Sequence, residues 1–496
     1  MKKYLNLVLI NSFLLTGFFN NAQELNALVL DSLSQNPIPF ASIYLKSGSG
    51  GVSNEEGRFR LQYEPTNTVD SLFISCMGYK TLAIPTLQLQ DSVFYLAPKS
   101  IELNSIILSN KQLDVKEILK EIQRDIPKKY DLSLTKKKLF FRETGSQEFK
   151  ALDVNIKKTS IPEFNQVFWD STLRKIPRKN TWFFELLGNL NGDYSKENQK
   201  LELLRALELE DKEKTAIFEN IEKLFDTILK DNVKTNSYFK VRSGIIGGKV
   251  EGDEINNNTK DTLTQEQKIQ KKKDDFLKWR KRIITNLVTT LFDEDELDLR
   301  ILKKASKYTF TQTEFTYLGD NPVYILDFKP DGNADYKGKL YVDADLLALI
   351  RIEYINVQPL RDFSMFGVSF KEDFKEVVIQ FKKTASGKYS LEYFDYNLSF
   401  EGGFDRPLVI TEKNKIVKGR NKQNQLKMDL NVANRNTQRY QLVVFETTTL
   451  TPETFKTFEE KGTILPINKT AYDPEFWKDY TIIEPNTTIK EFKVEK

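Results

Sequence analysis

Lys339-Leu340-Tyr341-Val342-Asp343-Ala344-Asp345-Leu346-Leu347-Ala348-Leu349-Ile350-Arg351-Ile352-Glu353-Tyr354 reads as two β-strands and the turn between them. Ile350, Ile352 and Tyr354 alternate with Arg351 and Glu353, the period of two that a half-buried strand requires. Residues 339–342 pair naturally across 343–346 with 348–354. Working outward, residues 322–328 form a further apolar strand. Residues 376–381 and 388–396 make another hairpin around Ala385-Ser386-Gly387. From about residue 307 to 446 the chain is therefore β. Long antiparallel strands joined by hairpins predict one large, strongly curved sheet, open like half a barrel.

Upstream of this region the pattern turns helical. Residues 195–231 are expected to form a helix on which Ile217, Ile221, Leu224 and Ile228 keep helical spacing, with Phe218, Phe225 and Leu229 widening the stripe. A second helix over 274–292 places Phe276, Trp279, Ile283, Leu287 and Leu291 on one side. Between them, residues 247–272 hold Gly247-Gly248, an asparagine run and many charges, which predicts a loop. Two amphipathic helices over a curved sheet would leave a concave apolar face. Earlier still, Asp114 and Glu117 fit an N-terminal cap pair for a short helix over 114–123, ended by Pro127, and strand signals lie at 138–142 and 152–156.

Residues 25–98 are all strand in character. Apolar patches at 27–30, 40–45, 58–61, 71–75 and 93–96 alternate with Asn36-Pro37, Gly48-Ser49-Gly50-Gly51, Glu56-Gly57 and Pro65-Thr66-Asn67. In Arg58-Phe59-Arg60-Leu61 the alternation predicts Phe59 and Leu61 inward and both arginines outward. Short strands at this density imply a small antiparallel sandwich. The fold class expected for the whole chain is α+β and multidomain. Residues 1–22 are a signal peptide, 23–98 the sandwich, 99–137 a linker with a short helix, and 138–490 the domain built on the large sheet, with its helical insertion at about 195–292.

The signal rests on Lys2 and Lys3, the mostly apolar stretch from Leu5 to Phe19, and Ala22 before Gln23. Its apolar run is short for a membrane span, and no cysteine stands near the cleavage point for a lipid anchor. The expected location is outside the cytoplasm, in the periplasm or at the periphery of an outer membrane, with no transmembrane segment once the signal is removed. Removing it takes away two lysines and no acids, which lowers the formal charge from +4 to +2. So balanced a chain offers no field for nucleic acid. The 496 residues contain one cysteine and no histidine. Ser-His-Asp and Cys-His catalysis, imidazole-ligated zinc, cysteine-cluster metal sites and an internal disulfide are all excluded.

Four blocks in order carry a resemblance: Val29-Leu30-Asp31; Asn36-Pro37-Ile38-Pro39-Phe40-Ala41-Ser42-Ile43; Gly51-Val52-Ser53-Asn54-Glu55-Glu56-Gly57-Arg58-Phe59; and Ile74-Ser75-Cys76-Met77-Gly78-Tyr79. Together they resemble the carboxypeptidase-like regulatory domain, a transthyretin-like β-sandwich common in exported proteins of Bacteroidetes-type bacteria. Ser53-Asn54 stands where that family usually has Thr-Asp. The resemblance implies an accessory module without peptidase chemistry, since the family's name-giving enzyme holds zinc through histidines. TonB-dependent receptors carry the same module, but the chain after Asn110 is too short for a plug and barrel, and its last residues lack a terminal aromatic. Val323–Phe328, Gly338–Asp343 and Ala348–Ile352 resemble the half-barrel of periplasmic lipoprotein and lipid carriers. Tyr472-Asp473-Pro474-Glu475-Phe476-Trp477-Lys478-Asp479-Tyr480 is similar to large exported Bacteroidetes proteins with the same N-terminal module.

No residue stands out as catalytic, cofactor-binding or metal-ligating, and no cofactor is expected. Asp331-Gly332-Asn333-Ala334-Asp335 alternates oxygen ligands like a calcium loop, but Tyr336 occupies the glycine position and Val342 the bidentate acid position, so it reads as a polar turn. Asp293-Glu294-Asp295-Glu296 reads as a solvated run. Lys271–Lys273 and Arg280–Arg282 flank Phe276 and Trp279, either a lipid-binding helix or, the simpler reading, a covering helix with its charges outward. The leading expectation is a non-enzymatic envelope protein that holds an apolar group, lipid or acyl chain, on its curved sheet while the sandwich docks an envelope partner. The alternatives are a pure scaffold of an envelope assembly and a glycoside hydrolase working through two facing carboxylates.

Overall fold

The computed structural model describes residues 23–46, 50–63, 70–90, 92–99, 114–244, 246–251, 263–294, 296–417 and 421–494. The signal-peptide reading at 1–22 lies outside the described residues. The chain divides into two compact units, and residues 317–319 and 474–486 group with the N-terminal one.

The N-terminal unit is built on two small sheets. One has the order β4-β1-β7, from β1 (Gln23–Asp31), β4 (Arg58–Tyr63) and β7 (Val93–Leu96); the other has the order β3-β2-β5-β6, from β2 (Ser42–Leu45), β3 (Gly50–Val52), β5 (Ser71–Ser75) and β6 (Leu82–Pro85). Val29, Ile43, Phe59, Leu61, Leu72, Ile74 and Leu96 are buried in one core between them. This is the expected sandwich, with one correction: β1 and β7 run parallel. The turn closing on β4 needs Gly57, whose φ is +73° and where a Cβ would meet the Val29 carbonyl at 2.7 Å.

Arg60 corrects the alternation read on β4. It is buried, and its Nε donates to Glu484 at 3.1 Å while Glu24 lies 3.8 Å away. The tail supplies the cover: Phe476, Trp477, Ile482 and Ile483 are all buried in this unit, and Asn54 donates to the Glu484 carbonyl at 3.1 Å. Glu484→Ala is expected to cost about 1–2 kcal/mol, since a hydrogen bond to a charged partner is lost and Glu24 remains near. Urea unfolding followed through Trp477 fluorescence measures it; an unchanged midpoint would leave the ion pair without a structural role.

The second unit opens with the helix Val115–Ile122, where Asp114 and Glu117 form the expected capping box. Pro127 does not end this helix. It sits in the first turn of a separate short one, Ile126–Lys129, where its missing N–H is not needed. The sheet follows. Its strands are β8 (Thr135–Thr159), β9 (Lys179–Gly192), β10 (Gln199–Leu209), β11 (Ser237–Ser243), β12 (Ile246–Glu251), β15 (Tyr308–Leu318), β16 (Asn321–Pro330), β17 (Tyr336–Asp343), β18 (Leu349–Asn356), β19 (Arg361–Met365), β20 (Val368–Lys383), β21 (Tyr389–Asn414), β22 (Lys422–Thr449) and β23 (Ile467–Lys469). A two-stranded hairpin, β13 (Phe292–Asp293) and β14 (Glu296–Leu297), stands apart.

The main path runs β15-β16-β17-β18-β20-β21-β22-β8-β9-β10-β23, with β11, β12 and β19 attached to its side. Its two ends do not pair, so the sheet is open and not a closed barrel, in an α+β fold. The β17–β18 and β20–β21 hairpins form as expected. The two strand signals at 138–142 and 152–156 belong to the single strand β8.

Two expectations for the helical region are overturned and a third is corrected at one residue. Residues 199–209 are strand: Leu201, Leu203, Leu207 and Leu209 are buried along β10, and pairing with β9 outweighs the helix preference of leucine, glutamate and alanine. The helix there is Lys212–Asn232, and its last turns pack through Phe225, Ile228 and Leu229. The expected loop at 247–272 begins as β12 and ends inside the helix Gln265–Thr289, capped by Thr264 and Gln267; residues 252–262 lie outside the described residues. Of the expected stripe on that second helix, Leu287 and Leu291 are buried and Phe276 and Ile283 half-buried, but Trp279 is 44% exposed and Leu277, Arg280, Ile284 and Val288 are buried beside them. No helix among the described residues is long and apolar enough to cross a membrane.

Candidate functional site

Residues directly opposite one another in an antiparallel pair share a face, and alternate residues along a strand stay on it. On β22, Tyr440, Asn434, Val432 and Leu426 therefore face one way. Through the ladder, so do Glu143 opposite Tyr440, Phe149 opposite Asn434, and Gly402 and Phe404 on β21. At one end of this face lies the Gln265–Thr289 helix, whose Phe276 contacts Phe184 with ring centroids 5.9 Å apart. At the other end Phe164, Ile228 and Phe225 pack with Leu426.

Between these ends no described residue covers the face. An open cleft of about 580 Å³ is lined by Phe363, Val368, Phe370, Phe404 and Val432, with Arg361, Ser369 and Asn434 as its polar members. Phe363 stacks on Phe370 at 6.3 Å, and Phe370 meets Phe400 at 5.9 Å. Gly402 forms part of the floor: a Cβ there would find only the Asn434 Oδ1, at 3.4 Å. The opposite face at this level is ionic, with Arg435 bridging Glu401 at 2.6 Å and Asp373 at 2.8 Å. The outer part of the sheet is thus apolar on one side and charged on the other. Further along the apolar side, Tyr396 and Tyr440 lie 6.4 Å apart, Lys375 sits over the Tyr396 ring, and burial pushes the Tyr440 phenol up to about 12.

Most buried charges of this unit are held in pairs, and Lys137, whose ammonium meets only the Thr135 hydroxyl and the Tyr194 ring among the described residues, is an exception. Arg280 Nη1 donates to Glu143 at 2.6 Å and its guanidinium stacks over Phe184; burial pulls Arg280 below its ordinary value and Glu143 opposes that shift. Arg142 Nε donates to Glu185 at 2.7 Å, both fully buried. Asp395 accepts from Tyr393 and Arg439, Asp343 from Tyr389, and Glu412 from Ser237 and Asn424. Each of these carboxylates is engaged by a neutralising or hydrogen-bonding neighbour.

The acidic motifs read from sequence are not brought together. Asp331–Asp335 is the turn between β16 and β17, with Gly332 at φ +70° and Asp335 paired to Arg300 at 3.0 Å. Asp293 and Glu296 lie in the β13–β14 hairpin. Among the described residues no cluster of acids or cysteine could hold a metal ion. The basic helix is a covering helix, but its charges do not all point outward, since Arg280 is turned in. The cleft itself was not anticipated residue by residue. Its sequence signal is Phe363-Ser364-Met365-Phe366-Gly367-Val368-Ser369-Phe370, apolar residues either side of a two-residue turn.

Comparison with known proteins adds one firm statement. Residues 28–108 match the model of the CarboxypepD_reg-like domain, so the N-terminal sandwich is a module of that regulatory-like type. No curated protein matches the chain. Among solved structures, a chain of the Pseudomonas aeruginosa MucA/MucB complex is similar at 8% identity, over 64% of this chain and 94% of that one, with a TM-score of 0.16. A likeness at that score carries no argument.

Proposed function

We propose that this is a non-enzymatic binding protein exported to the bacterial envelope, where the cleft on the large sheet holds an apolar ligand such as an acyl chain and the regulatory-like sandwich serves as an interaction module. One observation carries the reading: five large apolar side chains line an open cleft over Gly402, on the face opposite an ionic one. Uncovered aromatic surface of this kind is stabilised when an apolar group removes it from water, at roughly 25 cal/mol per Å². Arg361 and Asn434 at the cleft suit a ligand with one polar end.

The direct test is native purification of residues 23–496 from a bacterial envelope, solvent extraction and mass spectrometry. A stoichiometric acyl lipid supports the reading; clean protein points to the scaffold alternative. Gly402→Val adds an isopropyl group into the cleft in a strand that tolerates β-branching. Ligand retention is expected to fall about tenfold, a change worth about 1.4 kcal/mol, with the unfolding midpoint unchanged. Full retention in that variant removes the cleft from consideration.

A further inference from the structure

Two hairpin tips meet end to end along one side of β21, opposite residues 405–408, and neither is accounted for by packing. The first joins β19 to β20. Met365 and Val368 are its last pair, so Phe366-Gly367 is a two-residue turn, with φ of +52° and +74°. Such turns favour Asn-Gly, and a phenylalanine in the left-handed region is an outlier. Burial does not explain it, because Phe366 is 66% exposed and Met365 63%. The second tip joins β11 to β12, where Ile246 is 58% exposed. Arg406 ties the two together: its Nη2 donates to the Ser243 carbonyl at 2.8 Å, and its side chain lies 2.9 Å from the position of a Cβ on Gly367.

We propose that these paired tips dock the protein on an anionic lipid surface, with Phe366, Met365 and Ile246 entering the interface. The side chains project, so they fit a deformable medium and not a preformed pocket. The charge beside them has the matching sign: Lys240, Arg242 and Lys249 against Glu251 leave +2 on the β11–β12 hairpin. Strained backbone of this kind clusters at binding and switch sites. The first tip adjoins the cleft, since Val368 lines the cleft and pairs with Met365, but Gly402 pairs with Phe370 farther from the turn, so a change at Gly402 tests the ligand reading without altering the tips.

The test is flotation of residues 23–496 with vesicles of phosphatidylcholine containing about one third phosphatidylglycerol, a content that gives a negative surface potential. Wild type is expected to float at low salt and less so at high salt, as screening weakens the basic contribution. Phe366→Asn combined with Met365→Ser is expected to bind at least about tenfold more weakly, since two apolar side chains no longer leave water. Asparagine suits the turn, so the melting temperature of Phe366→Asn holds or rises. Gly402→Val should float like wild type. Absence of flotation by the wild type, equal flotation by the double variant, or a self-association that the double variant abolishes would each overturn the proposal; the last would make these tips a contact between copies.

Discussion

Replacing Glu143 by glutamine is expected to destabilise the large-sheet unit by about 3–5 kcal/mol, because it leaves the Arg280 guanidinium charged and buried without its counter-ion. Glu208 is a second carboxylate that acts on Arg280, but more weakly than Glu143, and its own burial favours its neutral form. The Glu143 and Arg280 side chains are almost fully buried, the Nη1–Oε2 distance is 2.6 Å, and the guanidinium is wedged over Phe184 and beside Trp279. Water cannot easily replace the carboxylate there. Glutamine keeps the size of the side chain, so the loss reports charge and not a cavity. The double variant Glu143→Gln, Arg280→Met is expected to recover most of the stability, since replacing both members of a buried pair by groups of similar volume is often near neutral. Urea unfolding followed by tryptophan fluorescence suits the measurement, as Trp169, Trp182 and Trp279 lie in this unit and only Trp477 lies in the other. A single variant within about 1 kcal/mol of wild type would mean that the pair is solvated, contrary to its burial.

Lys137→Met is expected to do the opposite and stabilise the protein at neutral pH by about 2–3 kcal/mol. Lys137 on β8 is fully buried, donates to the Thr135 hydroxyl and lies over the Tyr194 ring. Burial pushes its ammonium down to about 8, and Asp131 and Asp193 offset only part of that. The sign follows from proton binding. Between about pH 8 and the ordinary lysine value near 10.5, the unfolded chain holds a proton that the folded chain has released, so stability rises with pH across that window. Below it the penalty is fully present. Methionine removes the penalty and keeps the volume, so its advantage should be large at pH 7 and nearly gone by about pH 10.5. Chemical unfolding of both proteins at the two pH values checks this. A variant less stable at pH 7 would show that the ammonium has a compensating partner.

Much of the local structure was legible because it rests on neighbours in the chain. Asp114 and Glu117 are three residues apart, and the capping box they form needs nothing else. Ile350, Ile352 and Tyr354 alternate in the sequence as they do on β18. The turns around Gly57 and Ser386-Gly387 declare themselves through residues that favour them. The sandwich was readable for the same reason, with short strands punctuated by such turns, and its family match followed.

The misreadings have a common cause. Residues 199–209 look helical by composition, and only the β9 edge waiting beside them makes them a strand. Arg60 and Arg280 look like surface charges until their partners are known, and those partners lie 424 and 137 residues away. On the second helix Trp279 is exposed and its neighbour Arg280 is buried, where Glu143 receives it. The cleft depends on still more. Phe363, Phe370, Gly402 and Asn434 come from four strands, and only the β19-β20-β21-β22 register sets them side by side.

The amino-acid sequence by itself determined the strand-rich α+β character, the sandwich, the caps and turns, and the exclusion of every chemistry that needs histidine or paired cysteines. These follow from periodicity and composition, which act over a few residues. Tertiary structure alone decided which charges are buried, which edge recruits β10, that the tail at 474–486 covers β4, and where apolar surface stays open. Those outcomes depend on desolvation and on the register between strands distant in the chain, and neither is encoded within the reach of a local pattern.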